Sequence, residues 1–397
     1  MKFHIIGIDD NDNPRLGSEL LELISRSRIF SGGARHRQII SSVLPEGHTW
    51  IEITPPMKAL FERYAQCTEQ HIVVFASGDP LFYGFASTLQ RFDPDAEMVI
   101  YPTFNSLQTL AHRAQIAYQE MKMVSLTGRS WDRFDEALIE GEELIGVLTD
   151  TKAHTPEKIA QRMLKYGYTN YTITVGLLLG NSQNEKIERL SIEDTACGSF
   201  LHPCNMILEI TQRRERPFGI EDSSFKGLEG RSKMITKKAI RLTLLSMLEL
   251  RGAKTFWDVG FCTGSVSIES KLQFPHLKVY SFEKREECRE IIEHNITKFG
   301  AMGIEYFIGD FMECSLEGVT AADAIFIGGH GGNLKEIVKK CHEHLNHGGR
   351  LLFNSVSEQS EDLFMEAIGE CGMEVSQTTS IRVDEFNRIK IVKTIKR

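Results

Sequence analysis

The sequence predicts two successive α/β domains, the second built on a doubly wound parallel sheet. Three observations lead there. Short apolar runs closed by Gly, Pro or Asp alternate with helix-period segments along nearly the whole chain. The alternation breaks once, over 212–230, where QRRERPFGIEDSSFKGLEG carries Pro, three Gly, two Ser and mixed charge with no apolar period. The length of 397 residues leaves room for two or three domains at roughly 150 residues each.

In the first half, FHIIGI (3–8) opens as an apolar strand, and HIVVFASGDP (71–80) is a second that Gly-Asp-Pro stops. EMVIYP (97–102), KMVSLTG (122–128), ELIGVLTD (143–150) and YTITVGLLLG (171–180) read as further strands, and NMILEIT (205–211) as the closing one. Helices are expected over GFASTLQRF (84–92) and PEKIAQRMLKYG (156–167); the latter has Pro156 at its start and Gly167 past its end. The second half begins with a helix in ITKKAIRLTLLSMLEL (235–250), with Thr236 as its N-cap and Ile240, Leu244, Leu245 and Leu248 at helical spacing. KTFWDVG (254–260), KVYSFEK (278–284), IEYFIGD (304–310), ADAIFIGG (322–329) and RLLFNSV (350–356) then supply parallel strands. The tail, EVSQTTSIRV and RIKIVKTIKR, reads as an antiparallel edge pair.

Composition excludes several classes. Hydrophobic residues make up 41% and charged residues 25%, ordinary for a globular chain. The formal charge of −8 argues against nonspecific nucleic-acid binding, which needs a basic surface. No stretch approaches the roughly 18 apolar residues of a membrane helix. MKFHIIGIDDND turns acidic too early for a signal peptide. Eight scattered Cys without a C-x-x-C pair imply reduced thiols and a cytoplasmic protein. Cys341, His342, His344 and His347 look like a metal cluster, but they crowd a helix end before Gly348-Gly349, where His complements the helix dipole; no metal is expected. Arg213-Arg214-Glu215-Arg216 reads as solvated linker, with a contribution to binding an anionic substrate as the alternative.

The chemistry-bearing signal is WDVGFCTGSVSIE (257–269). A buried strand ends at Asp258-Val259-Gly260, and a turn with Gly264 leads into a helix near Ser265. Such a turn admits a ligand close to the backbone, and a helix N-terminus favours electron-rich groups. Glu283 ends the next strand, nineteen residues after Gly264, where an acid meets ribose hydroxyls; Asp310 ends the third, placed for an adenine amino group. Gly260-x-Cys262-x-Gly264 fails the dinucleotide fingerprint, which disfavours a nicotinamide dehydrogenase, and no GxxxxGK[ST] is present. The set instead resembles the S-adenosylmethionine site of class I methyltransferases. After the fourth strand, Gly328-Gly329-His330-Gly331-Gly332 forms a loop whose amides can face a ligand. In the first half, Ser77-Gly78-Asp79-Pro80-Leu81-Phe82-Tyr83-Gly84 forms a sharp turn presenting a carboxylate, and Pro102 to Leu107 a second polar turn.

Taken together, these residues resemble the fused precorrin-6Y methyltransferases of cobalamin biosynthesis (the CobL or CbiET type), over nearly the whole length. Ser77 to Gly84, Gly32-Gly33-x-Arg35-His36, Ser125-Leu126-x-Gly128-Arg129, Leu148-Thr149-Asp150 and Asn205 are similar to the CbiE-type tetrapyrrole methylases. Met234-x-Thr236-Lys237, Trp257 to Gly260, Gly264 to Glu269, the Gly328–Gly332 loop and Gly348-Gly349-Arg350-Leu351 resemble the CbiT type. The resemblance implies a CbiE-like tetrapyrrole methylase domain over 1–212, a linker over 213–230 and a CbiT-like class I (Rossmann-like) methyltransferase domain over 231–397. It implies S-adenosylmethionine as cofactor, one per domain. The substrate would be a precorrin-6 type corrinoid, methylated at carbons 5 and 15 with loss of the ring C acetate carboxylate. It further implies a homo-oligomer. By the same resemblance Gly78, Asp79, Asn105 and Ser106 line the first cofactor site. Thr236, Gly260, Phe261, Cys262, Thr263, Gly264, Glu283 and Asp310 line the second, and His330 handles protons there. Two features depart from the family: Asn105-Ser106 replaces the usual Ser-Ser, and Cys262 stands where a smaller residue is usual, so that its sulfur is expected to narrow the space beside the cofactor. The alternatives are a two-domain methyltransferase acting on another porphyrinoid, and a binding module with a degenerate second site.

Overall fold

Strands and helices alternate through a computed structural model that describes residues 1–11, 14, 16–181, 183–231, 234–383 and 388–396; Arg397, the last residue of the expected final strand, lies outside them. Met1–Arg129, Glu143–Gln161 and Tyr171–Thr211 form one compact unit, and Ser130–Glu142, Arg162–Asn170 and Gln212–Arg397 the other.

The first half of the chain holds β1 (Lys2–Ile8), α1 (Ser18–Arg26), β2 (Ile29–Gly32), α2 (Ala34–Ile39), β3 (Thr49–Glu52), α3 (Met57–Ala65), β4 (His71–Ser77), α4 (Phe85–Phe92) and β5 (Glu97–Tyr101). There follow α5 (Ser106–Ala114), β6 (Lys122–Ser125), α6 (Asp132–Glu140), β7 (Leu144–Leu148), α7 (Pro156–Lys165), β8 (Tyr171–Leu177), β9 (Lys186–Leu190), α8 (Ile192–Cys197) and β10 (Cys204–Ile210). These strands make two sheets. The first is parallel, in the order β3-β2-β4-β1-β5. Its central strands are apolar on both faces. Ile5 and Val74 pack into one core, and Ile6, Val73 and Phe75 into another, as a sheet covered on both sides requires. The second sheet runs β6-β7-β10-β8-β9 and is mostly antiparallel. The last strand of this half, β10, is therefore the centre of its sheet.

The second half holds α9 (Lys238–Leu248), β11 (Thr255–Val259), α10 (Ser265–Gln273), β12 (Lys278–Glu283), α11 (Cys288–Phe299), β13 (Ile304–Ile308), β14 (Ala322–Ile327), α12 (Leu334–His344), β15 (Leu345–Ser355), α13 (Glu358–Glu370), β16 (Glu374–Ile381) and β17 (Ile389–Ile395). They form one seven-stranded sheet, β13-β12-β11-β14-β15-β17-β16. The first five strands are parallel and doubly wound about β11, and β17 and β16 add the expected antiparallel pair. Of this pair β16 lies at a sheet edge, and β17 is inserted beside β15.

Two expectations are corrected here. Thr236 is not the N-cap of α9. The helix starts at Lys238, whose N–H donates to Asp222 Oδ1 at 3.0 Å, while the Thr236 carbonyl accepts from Arg241 Nη1 at 2.7 Å. The Arg213–Arg216 cluster is only partly solvated linker: Arg214 Nη1 donates to the carbonyls of Tyr166 and Gly167, and Nη2 to that of Lys298.

Candidate active sites in two cavities

In the second unit, the chain turns sharply where β11 ends. Gly260 has φ +80°, and a Cβ there would lie 2.5 Å from the Gly329 nitrogen, so only glycine lets the two ligand-facing loops touch. The turn hydrogen-bonds to its neighbours, with Gly260 N–H on Phe282 O and Gly328 N–H on Val259 O, both at 2.8 Å. Asp258, fully buried, fixes the start of α10: its Oδ2 accepts from Ser267 N at 3.1 Å and Ser267 Oγ at 2.5 Å. Its Oδ1 has no partner. Burial pushes this carboxyl up to about 7.

A cavity of about 370 Å³ opens at the C-terminal edge of the sheet, where open α/β sheets bind ligands. Gly260, Glu283, Asp310 and His330 line it together with Met234 and Arg285. Thr236, Phe261, Cys262, Thr263 and Gly264 are not on its wall. Phe261 and Thr263 are buried, with Thr263 Oγ1 unpartnered, and the Thr263 carbonyl accepts from Asn295 Nδ2 at 2.9 Å. Cys262 occupies the left-handed region at φ +53°, and its Sγ turns to the Met234 carbonyl at 2.9 Å. The expected narrowing by the sulfur is therefore not what the structure shows, because the left-handed backbone turns the thiol to Met234. What Cys262 offers is its N–H, which donates to Glu283 Oε2 at 2.9 Å.

Glu283 carries more hydrogen bonds than its sequence position suggests. Oε1 accepts from Lys284 N, Arg285 N and Arg285 Nε at 2.8, 3.1 and 2.9 Å. Oε2 accepts from Arg285 Nη2 at 2.7 Å as well as from Cys262. Burial raises its pKa, but Arg285 and these N–H groups outweigh burial and hold the carboxyl below its ordinary range. A carboxylate has about four lone-pair sites, so a ribose hydroxyl reaches it only where Arg285 yields. Asp310 accepts from Met312 N at 2.9 Å and pairs with Lys284 Nζ at 2.8 Å. His330 Nδ1 accepts from Gly332 N–H at 3.2 Å, which leaves the proton on Nε2, and burial lowers its pKa.

In the first unit, the walls of a cavity of about 900 Å³ come from both sheets. Gly78, Asn105 and Ser106 line it; Asp79 does not, because its Oδ1 turns into the loop and accepts from Leu81 N–H at 2.9 Å. Gly78 takes φ +60°, and its carbonyl sits so close to β1 that a Cβ on Gly7 would lie 1.9 Å from it. Gly7 was readable as a glycine inside a buried strand, the sign of close backbone approach. Asn105 caps α5, accepting from Gln108 N–H at 2.9 Å. His36 also lines the cavity. Its Nδ1 accepts from Gly33 N–H at 3.2 Å, so Nε2 donates to Ser77 Oγ at 2.9 Å, and burial drives its pKa down to about 4. Asn205, from the centre of the second sheet, is buried with Oδ1 unpartnered against the cavity.

Elsewhere, Cys341 is buried and its thiol is pushed up by burial, and His344 Nδ1 donates to Lys340 O at 3.0 Å. Among the described residues no group of three or more His, Cys, Asp or Glu is placed to hold a metal ion. No helix among them is long and apolar enough to cross a membrane.

Comparison with known proteins covers both halves. A family model described as a precorrin methyltransferase domain matches residues 230–395. The chain is 30% identical over 369 residues, 91% of its length and 86% of the relative's, to a precorrin-6Y C(5,15)-methyltransferase (decarboxylating) of Sinorhizobium sp.. A protein of the same description from Mycobacterium tuberculosis is 23% identical over 94% of this chain and 91% of its own. A cobalt-precorrin-6B C(15)-methyltransferase (decarboxylating) of Salmonella typhimurium is 36% identical over 153 residues, 38% of this chain and 78% of its own.

Proposed function

The chain belongs to the family of decarboxylating precorrin-6Y C(5,15)-methyltransferases, and we propose on that premise that each half works as a separate methyltransferase with its own S-adenosylmethionine. Residues 1–212 methylate carbon 5 of a precorrin-6 type corrinoid in cobalamin biosynthesis. Residues 231–397, reached through 213–230, methylate carbon 15 and release the ring C acetate carboxylate as carbon dioxide. The observation that carries this is the cavity where Gly260, Glu283, Asp310 and His330, from four successive loops of a doubly wound sheet, converge.

The residues present fit the cofactor. Both cavities lie in the size range of small-molecule sites, about 300–1,000 Å³. In the first, Asn205 Oδ1 is a buried acceptor awaiting a donor. In the second, Asp310 suits an amino donor, Glu283 suits hydroxyl donors once Arg285 yields, and glycines at 260 and 329 admit a ligand against the backbone. When bound, S-adenosylmethionine supplies an electrophilic methyl group. The protein's part is then to hold an electron-rich carbon in line with it and to keep water out, so positioning lowers the barrier. Gly78 with Asn105 and Ser106 shape the first floor; Gly260 and Glu283 shape the second. His330, neutral at pH 7 and protonated at Nε2, presents a hydrogen-bond donor beside the reacting groups. Loss of carbon dioxide leaves an electron pair that the conjugated macrocycle accepts. The protein is further proposed to be cytoplasmic and a homo-oligomer, the latter checked by sedimentation of the purified chain.

Mass spectrometry of a precorrin-6 type substrate, metal-free and cobalt-loaded, after incubation with S-adenosylmethionine and the full chain tests the proposal. Two added methyl groups with loss of one carbon dioxide are expected, on one of the two metal states. One methyl without decarboxylation would mean an inactive second half, and no change would leave the other-porphyrinoid reading.

A further inference from the structure

We propose that Arg129, held under the ring of Tyr83, binds a side-chain carboxylate of the tetrapyrrole in the first unit's cavity and so fixes which edge of the macrocycle meets the methyl group. This rests on the reading of that cavity as a methyl-transfer site for a corrinoid bearing acetate and propionate arms. Among the described residues three arginines line the cavity. Two are already neutralised: Arg35 pairs with Asp10 at 2.6 Å and Arg113 with Glu185 at 2.5 Å. Arg129 has no carboxylate partner among the described residues. Its Nη1 donates to Ser125 Oγ at 3.1 Å and Thr127 O at 3.2 Å, and Nε and Nη2 make no hydrogen bond to another described residue. Ser125 is itself buried, so the fork is anchored from behind with its remaining donors free.

The face of Arg129 is covered as well. The Tyr83 ring centroid lies 5.0 Å from the guanidinium carbon. Tyr83 reaches there from an unusual backbone, φ +53°, in the left-handed region that side chains disfavour. Its hydroxyl donates to Met123 O at 3.3 Å. Tyr83 follows β4 of one sheet, whereas Met123 and Arg129 belong with β6 of the other. The strained residue therefore clasps the two walls of the cavity together, and held strain of this kind clusters at ligand clamps. Tyr83 and Phe104, both on the cavity wall, are 45% and 58% exposed and offer flat apolar surface to a flat macrocycle. A planar fork, fixed on one side and open on the other, matches a carboxylate bidentately in a way a lysine cannot.

The experiment uses the full chain, with carbon 5 methylation followed by mass spectrometry and cofactor affinity by calorimetry. Arg129→Ala is expected to raise KM for the precorrin by about tenfold to a hundredfold, the scale of a lost charge-assisted hydrogen bond. The cofactor Kd should stay within about twofold of the unsubstituted protein. Arg129→Lys should recover only part of the loss. The rise of KM with ionic strength should flatten in Arg129→Ala, which a structural role would not produce. Arg129→Gln keeps a donor for Ser125 and serves if the alanine variant is unstable. An unchanged KM and unchanged salt dependence in either variant, with cofactor binding intact, would overturn the proposal. Absence of carbon 5 methylation by the unsubstituted protein would instead sink the reading of the cavity, and this inference with it.

Discussion

Asp258 shows how one buried residue couples the turn at Gly260 and the start of α10 to pH. Its carboxyl is fully buried, accepts both bonds on Oδ2 from Ser267 and leaves Oδ1 bare. Burial lifts its pKa from 3.8 to about 7, so between those values the folded chain keeps a proton that the unfolded chain has released. The contribution is therefore fully present below about pH 3.8 and is lost as pH rises through about 7, with a slope of at most about 1.4 kcal/mol per pH unit. Asp258→Asn should flatten the fall in stability between pH 5 and 8, measured by urea unfolding across that range. The change of slope is the readout, since the substitution also alters stability at every pH by leaving a buried amide donor unmatched. An unchanged slope would place the ionisation elsewhere. Sequence reading placed Asp258 at the end of a strand but gave no sign of its proton affinity, which depends on burial that the neighbouring sequence does not encode.

At the scale of elements, α9 and α10 are tied by a buried ionic web. Arg241 and Glu269 are both fully buried and paired through Arg241 Nε, and Glu269 also accepts the N–H groups of Gly219 and Ile220. Arg241 reaches Asp222 Oδ1 at 3.1 Å as well. The stretch at 213–230, which has no apolar period, is thus fixed by polar bonds and by buried Ile220, Phe225 and Leu228. Glu269→Ala leaves the buried guanidinium with Asp222 as its remaining acid and the Gly219 and Ile220 N–H groups without their acceptor, and should cost about 3–5 kcal/mol. Replacing both partners, Arg241→Met with Glu269→Leu, should cost less than the single change, since a buried charge short of a partner is worse than none. Equal losses for the two variants in chemical unfolding would show that packing, rather than the charge, carries the effect. Element existence was legible here: α9, α10 and every parallel strand from β11 to β15 fall on the expected apolar runs. The α9 cap was not, because its acceptor, Asp222, precedes the helix by sixteen residues.

For the whole molecule, the proposed function puts one reaction in each of two cavities built from separate residues, and so predicts that the two can be separated. Gly78→Val places a side chain against the Asn105 Cα, 2.8 Å from a Cβ, at φ +60°. Gly260→Val drives one into Gly329 at 2.5 Å. The first variant should lose carbon 5 methylation yet still add the carbon 15 methyl and release carbon dioxide; the second should do the reverse. Product analysis by mass spectrometry and carbon-labelled NMR distinguishes them, and simultaneous loss of both reactions in either variant would contradict independent sites. The sequence by itself determined the alternation of strands and helices, the break at 212–230 and the Gly260, Glu283 and Asp310 strand ends, because periodicity and turn chemistry act over a few residues. Only the tertiary structure decided the rest. It placed β10 and β17 inside their sheets rather than at the ends of the reading, filled Glu283 with Arg285, turned the Cys262 sulfur to Met234 and, among the described residues, left Arg129 without an acid. Each of those outcomes depends on which distant segments meet, and strand order, burial and charge pairing arise from that meeting rather than from local sequence.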